Sequence, residues 1–196
     1  MTILISADVE TSGPVPGLGD LVSFGLVVIE PGLTRTFRSG LMRAEHRQHE
    51  KERYRIIGCT REGHENAVQT IASVMRRMEL WFEDVLATSR NGRCLLVSDN
   101  PGYDFMWLAT ESHLKLGHAQ FGHSARRIGD VWAGLVGKPR DTRGWKDLIV
   151  TPHDHDPVND AMGVAEAWLA MWAMHGGTKE ALLAGVPKPK ILDPIP

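Results

Sequence analysis

Three strand-forming runs precede the first long helix, and from there helix and strand alternate. No other feature constrains the fold of this chain so tightly. Ile3 to Ala7 is a short apolar run, "DLVSFGLVVIE" (residues 20–30) a second strand, and "TRTFRSGL" (34–41) a third that pairs with it through the turn "PGL". A helix is predicted from Glu65 to Ala87, because Val68, Ile71, Val74, Met75, Met78 and Phe82 recur near the helical period of about 3.6 residues. "RCLLVSDN" (93–100) reads as a fully buried fourth strand and "ARRIGD" (125–130) as a short fifth strand leading into a helix. "PVNDAMGVAEAWLAMWAMH" (157–175) is a strongly patterned last helix. A meander followed by alternation specifies an α/β chain, a mixed five-stranded sheet with helices on both faces.

With 196 residues the chain can bury a large core without cross-links. A single domain is expected over residues 1–185, followed by a Pro-rich tail over 186–196 lying along the surface. Cys59 and Cys94, the two cysteines, fit a reducing compartment. No basic stretch precedes the first apolar run, and the longest apolar runs are too short to span a bilayer. A first strand rather than a signal peptide is expected, hence a cytoplasmic address and no membrane partner. The net charge of −2 excludes a general attraction to nucleic acid. Charge is uneven, however: residues 35–55 hold seven Arg or Lys against three Glu, and 138–146 hold four against one Asp. Each segment is either a solvated face or a rim that tracks phosphates.

The first strand closes on Asp8 and Glu10 with only Val9 between them. Strand side chains alternate, so both acids point the same way with Cα atoms roughly 6.6 Å apart, and they repel. Two further acids sit at helix starts. In "DNPGYDFMW" and "HDPVNDAMG", Asn100 and Asp156 are placed to cap, Pro101 and Pro157 suit the first helical position, and Asp104 and Asp160 follow three residues after each Pro. Taken singly, each is explained by the helix dipole. Yet Asp160 shares its helix face with Val164, Ala167 and Trp168, and Asp104 shares its face with Leu108, so both acids look inward. Buried carboxylates need cationic side chains or metal ions. Strand ends and helix starts on one edge of an α/β sheet converge. Asp8, Glu10, Asp104 and Asp160 can therefore meet, and two divalent cations would balance about four negative charges, as in a two-metal phosphoryl-transfer site. His155, five residues before Asp160, is placed to take a proton there, and imidazole ordinarily titrates near neutrality.

These motifs resemble those of the DEDDh superfamily of 3'-to-5' exonucleases, which includes polymerase proofreading subunits, ribonuclease T and oligoribonuclease. "DVETSGP" resembles its first motif, "NPGYDF" its second and "HDPVNDA" its third, so the resemblance covers essentially the whole chain. "FGHSARRIGD" and "NDAMGVAEAW" further resemble a small bacterial and phage branch. The resemblance implies a ribonuclease H-like fold and two Mg²⁺ or Mn²⁺ ions, with Asp8 bridging them, Glu10 and Asp160 completing one site and Asp104 serving the other. It implies His155 as general base. The backbone around Val9, Thr11, Ser12 and Gly13 and the side chain of Asn100 would contact the terminal nucleotide. The Tyr-x3-Asp of the related tyrosine subclass is absent. Without a strongly basic balance, the expected partner is a short single-stranded 3' end of RNA or DNA, degraded to nucleoside monophosphates.

Three other readings compete. His153 beside His155 forms the H-x-H pair of a zinc hydrolase, although the binuclear version would continue Asp-His where this chain has Asp156-Pro157. A catalytically inactive nucleic-acid-binding module would have lost at least one acid, and all five catalytic positions are filled. Asp104 and Asp160 could also be plain first-turn acids. Trp168, Met171 and Trp172 form an apolar stripe expected in the core, a homodimer contact being the alternative. His46, His49 and His175 are expected to be exposed.

Overall fold

The structure, a computed structural model, describes residues 2–46, 49–89 and 92–174. The tail over 186–196 and His175 lie outside the described residues. The sheet contains β1 (Ile3–Thr11), β2 (Leu21–Val28), β3 (Thr36–Arg38), β4 (Cys94–Ser98) and β5 (Ala125–Arg127) in the order β3-β2-β1-β4-β5. β1 is antiparallel to β2 and parallel to β4, β3 is antiparallel to β2, and β5 is parallel to β4, which makes the sheet mixed as expected. β1 continues past Ala7, so Asp8 and Glu10 lie within the strand rather than beyond it. β3 is much shorter than the predicted run, three residues at the edge of the sheet.

The helices are α1 (Lys51–Ile56), α2 (Arg61–Glu65), α3 (Ile71–Ala87), α4 (Pro101–Leu116), α5 (Ile128–Leu135) and α6 (Pro157–Met174), with a 3₁₀ turn at Gly144–Leu148. The helix predicted from Glu65 begins only at Ile71. Thr70 caps α3 by accepting the Ser73 amide at 3.1 Å, Gln69 forms a β-bridge with Met42, and the Gln69 carbonyl takes the Arg43 amide at 2.7 Å. These bonds keep residues 67–70 out of the helix and leave Val68 88% exposed, although it matches the helical period.

The two sides of the sheet carry separate halves of the core. Ile5, Ala7 and Val9 from β1 and Phe24, Leu26 and Val28 from β2 pack with Met75, Met78 and Phe82 of α3 and Trp107 and Leu108 of α4. On the other side Val27 and Val97 pack with Ile128, Trp145 and the inner face of α6, where Trp168 and Met171 are buried. Trp168 and Met171 of the stripe on α6 are therefore core, whereas Trp172 is half-buried. Alternation along β1 then directs Asp8 and Glu10 toward α6. Gly25 of β2 meets the start of that helix, where a Cβ would lie 2.4 Å from the backbone of Pro157. No helix among the described residues is long and apolar enough to cross a membrane.

Candidate metal centre

β1 outruns its parallel neighbour. The β1/β4 ladder ends at Ser6 and Val97, whereas the β1/β2 pairing continues to Thr11. The gap beside the end of β1 admits the first turn of α4 and with it Asp104, which is 5% exposed. The Asn100 carbonyl accepts the amides of Tyr103 and Asp104 at 2.8 and 3.0 Å, while the Asn100 side chain, expected as a cap, makes no capping bond. Asp156 does cap α6, taking the Val158 and Asn159 amides at 3.0 and 3.4 Å, and its second oxygen pairs with Arg38. His155 adopts a left-handed φ of 62°, and the turn places the Asp154 amide 3.2 Å from Asp160 Oδ1.

Asp8, Glu10 and Asp160 present ligand oxygens that all lie within 4.8 Å of one another. Asp104 reaches the same cluster from α4, close enough that its charge raises the pKa of both Asp8 and Glu10. Burial is the largest cause in every case. It pushes Asp8 well above the usual carboxylate range, with Asp104, Glu10 and Asp160 adding to the rise. It lifts Glu10 to about 8, with Asp160 and Asp104 adding and Arg53 opposing. Asp104 is raised by burial against the pull of the Ser98 hydroxyl and the amides of Asn100 and Val9. Asp160 is raised by burial although His153 and His155 draw it down.

The two histidines divide between the acids. His153 Nδ1 lies 2.7 Å from Asp160 Oδ2, His155 Nδ1 lies 3.4 Å from Glu10 Oε1, and the rings meet edge to face at 4.6 Å. His155, placed by the sequence beside Asp160, thus faces Glu10, and His153 takes the nearer position on Asp160.

The donor set fits divalent cations. Four carboxylates sit together, and among the described residues no Lys or Arg forms an ion pair with any of them. Asp160 Oδ2 is buried with no properly angled hydrogen bond, despite its approach to His153. Oxygen donors of this charge suit Mg²⁺ or Mn²⁺.

Among the residues expected at the nucleotide, Val9 buries its side chain in the core. Thr11 bonds the Gly13 carbonyl at 3.0 Å and also meets the Tyr103 hydroxyl, and Ser12 Oγ accepts the Asp20 amide at 2.9 Å. The loop after β1 is therefore held by its own side chains together with Tyr103. A Cβ on Gly13 would lie 2.6 Å from the Leu18 carbonyl oxygen. Asn100 is exposed at the start of α4.

Several supporting residues were not picked out from the sequence. Tyr103 donates to the Gly13 carbonyl at 3.1 Å and accepts from Arg53 at 2.7 Å. Buried Asp20 accepts the Glu45 and His46 amides at 3.0 and 3.1 Å and meets His46 Nδ1 at 2.7 Å, so exposed His46 is tied down. His49, half-buried, contacts Arg61 at 2.9 Å. Lys146, which pairs with Asp99 at 3.0 Å, helps line a cavity of about 240 Å³ that opens between Asp8, Asp160, Trp145 and Ile149. Two signals pointed this way: Tyr103 directly precedes Asp104, and Arg53 and Lys146 belong to the two basic segments.

An α/β domain whose mixed sheet gathers strand-end and helix-start acids at one edge has the ribonuclease H-like architecture, here the fold of DEDDh-family 3'-exonucleases. The nuclease domain of 3'hExo, a DEDDh family member solved bound to rAMP, matches with a TM-score of 0.70 and 14% identity over 89% of this chain and 94% of that one. Schizosaccharomyces pombe Pop2p with Mg²⁺ and Mn²⁺ bound matches at 0.61 and 12% identity, over 89% and 84%. Zinc-bound Escherichia coli exonuclease I in complex with single-stranded DNA matches at 0.61 and 14% identity over 94% of this chain, which spans 43% of that longer protein. What these likenesses establish is the fold. No family model and no curated protein matches the sequence.

Proposed function

We propose that the protein is a divalent-metal-dependent 3'-to-5' exonuclease that releases nucleoside monophosphates from single-stranded RNA or DNA. One observation carries the reading: Asp8, Glu10 and Asp160 converge within 4.8 Å, with Asp104 beside them, and among the described residues no Lys or Arg forms an ion pair with any of the four. Asp8, Glu10, Asp104 and Asp160 hold the ions. Two Mg²⁺ or Mn²⁺ there would neutralise the scissile phosphate and stabilise charge on the attacking and leaving oxygens. His155 is the proton acceptor. Its Nδ1 is turned toward Glu10, which leaves Nε2 to take the proton of the attacking water. Water oxygen bonds to phosphorus, the bond from phosphorus to the upstream 3' oxygen breaks, and that oxygen takes a proton from solvent to become the new 3' hydroxyl. The backbone from Val9 to Gly13 and the Asn100 side chain flank the terminal nucleotide, and the cavity beside Asp8 and Asp160 receives part of it. The unpaired Cys59 and Cys94 suit a cytoplasmic address.

The test is degradation of matched short RNA and DNA carrying labels at the 5' end, in Mg²⁺, in Mn²⁺ and in chelator, with Asp8→Asn as control. A ladder shortening from the 3' end in either metal, absent in chelator and in the variant, is the expected result. Absence of shortening in both metals on both polymers would refute the reading.

A further inference from the structure

We infer that His153, His155 and Asp160 form a second site, overlapping the carboxylate cluster at Asp160, for zinc or a similar nitrogen-preferring transition-metal ion, and that its occupation shuts off the exonuclease. The claim of inhibition rests on the function proposed above; the claim of a site does not. His153 is the distinguishing residue, because it lies outside the His-x4-Asp spacing that joins His155 to Asp160.

One ligand atom from each of the three residues lies within 4.8 Å of the others, a grouping separate from that of Asp8, Glu10 and Asp160. Ligands about 2.0–2.1 Å from a tetrahedral zinc ion are roughly 3.3 Å apart, so small side-chain rotations close this set around an ion. Asp160 Oδ2, buried and without a hydrogen bond, already lies 2.7 Å from His153 Nδ1. The two rings meet edge to face with centroids 4.6 Å apart. The histidine side chains are 64% and 38% exposed, so an ion can enter from solvent and keep an open fourth position.

Ligand chemistry separates the two groupings. Two imidazoles and one carboxylate favour zinc over Mg²⁺, whereas the carboxylate cluster favours the harder ions. The two groupings share Asp160, and the zinc set also takes up His155, the proton acceptor. An ion held by both imidazoles takes one ring nitrogen of His155 and leaves the ring proton on the other, so no lone pair remains to accept the proton of the attacking water, and zinc binding and turnover exclude one another.

The full chain, freed of metal and returned to excess Mg²⁺, is titrated with zinc against a chromophoric chelator, and zinc-edge X-ray absorption reads the ligands. One zinc equivalent with a two-imidazole signature is expected. Replacing an outer-shell partner of a metal ligand commonly costs about 10- to 100-fold in affinity, so His153→Ala, which removes a ligand, should cost at least about tenfold. In parallel, zinc should inhibit Mg²⁺-supported degradation by the wild type, and inhibition of His153→Ala, scored against its own zinc-free rate, should need correspondingly more zinc. Equal affinity in the two proteins, or a spectrum with fewer than two imidazoles, overturns the site. A wild type that binds zinc through two imidazoles yet degrades nothing in Mg²⁺ or Mn²⁺ supports the site and overturns the proposed function instead.

Discussion

At Asp104 two effects of opposite sign meet. An acid in the first turn of a helix gains about 0.3–1 kcal/mol from the dipole. A single like-charge neighbour at roughly 6 Å costs about 3 kcal/mol at an effective dielectric near 20, before proton uptake relieves it. Asp104 is 5% exposed and presses its charge on both Asp8 and Glu10, so repulsion wins in the metal-free protein. Asp104→Asn is therefore expected to melt higher than wild type in chelator, to lose activity, and to gain less from added Mg²⁺; a lower melting temperature in chelator would make the acid a structural one. Asp160→Asn should gain less, because its contact with His153 already offsets part of the charge. For the proton acceptor, His155→Ala is expected to reduce turnover by about 10²- to 10⁴-fold with Mg²⁺ affinity nearly unchanged, as read by steady-state rates and calorimetry. If His153→Ala proves the more damaging change in zinc-free buffer, the histidine on Asp160 is the base.

Among the elements, α6 matters most to the site, since it carries Asp160 and its preceding turn carries both histidines. Its start is seated on β2 at Gly25, where an added Cβ would lie 2.4 Å from the Pro157 carbonyl carbon and oxygen and the Val158 nitrogen. Backbone atoms cannot swing aside as a side chain can. Gly25→Ala is therefore expected to lose about 1–3 kcal/mol in urea unfolding, a usual cost of overpacking, and to lower turnover as well, because the helix must lift and carry Asp160 with it. Unchanged activity in a destabilised Gly25→Ala would mean that α6 tilts about its start without moving the acid. α4 is seated differently: it enters where the β1/β4 ladder stops, so the length mismatch between the two strands admits Asp104.

Across the whole molecule, the acidic cluster makes stability depend on pH in an unusual direction. Glu10 is raised to about 8, and Asp8, Asp104 and Asp160 are raised as well. Unfolded carboxylates titrate near about 4, so between there and about 8 the folded chain holds protons that the unfolded chain has released. Folding then loses stability from these groups as pH rises through that window. In chelator, the melting-temperature advantage of Asp104→Asn over wild type is therefore expected to grow from about pH 5 to about pH 8.5. Mg²⁺ binding requires ionised ligands, so its stabilisation should strengthen over the same range, reaching about 2.7 kcal/mol when the ion is at a hundred times its dissociation constant. Thermal melts of both proteins at the two pH values, with and without Mg²⁺, check this. An advantage that shrinks with rising pH would mean the acids are not jointly buried.

The succession of strands and helices along the chain, the shared face of Asp8 and Glu10, the inward turn of Asp104 and Asp160, and the cap at Asp156 were all legible in the sequence. Each depends on the period of one element or on a bond spanning a few residues, and such interactions leave their mark on a short stretch of chain. The tertiary structure decided the rest. The helix expected from Glu65 starts late because Gln69 is held by Met42 and Arg43, partners from a distant segment. Asn100, a good cap by residue type, leaves its side chain unused. Thr11 is fixed by Tyr103 across 92 residues and by Arg53 across 42. The division of His153 and His155 between Asp160 and Glu10 follows from the left-handed turn at His155 and from the docking of α6 against β1. A contact between remote segments imposes no period and no local spacing on either one, so it takes shape only when the sheet and its helices are packed together.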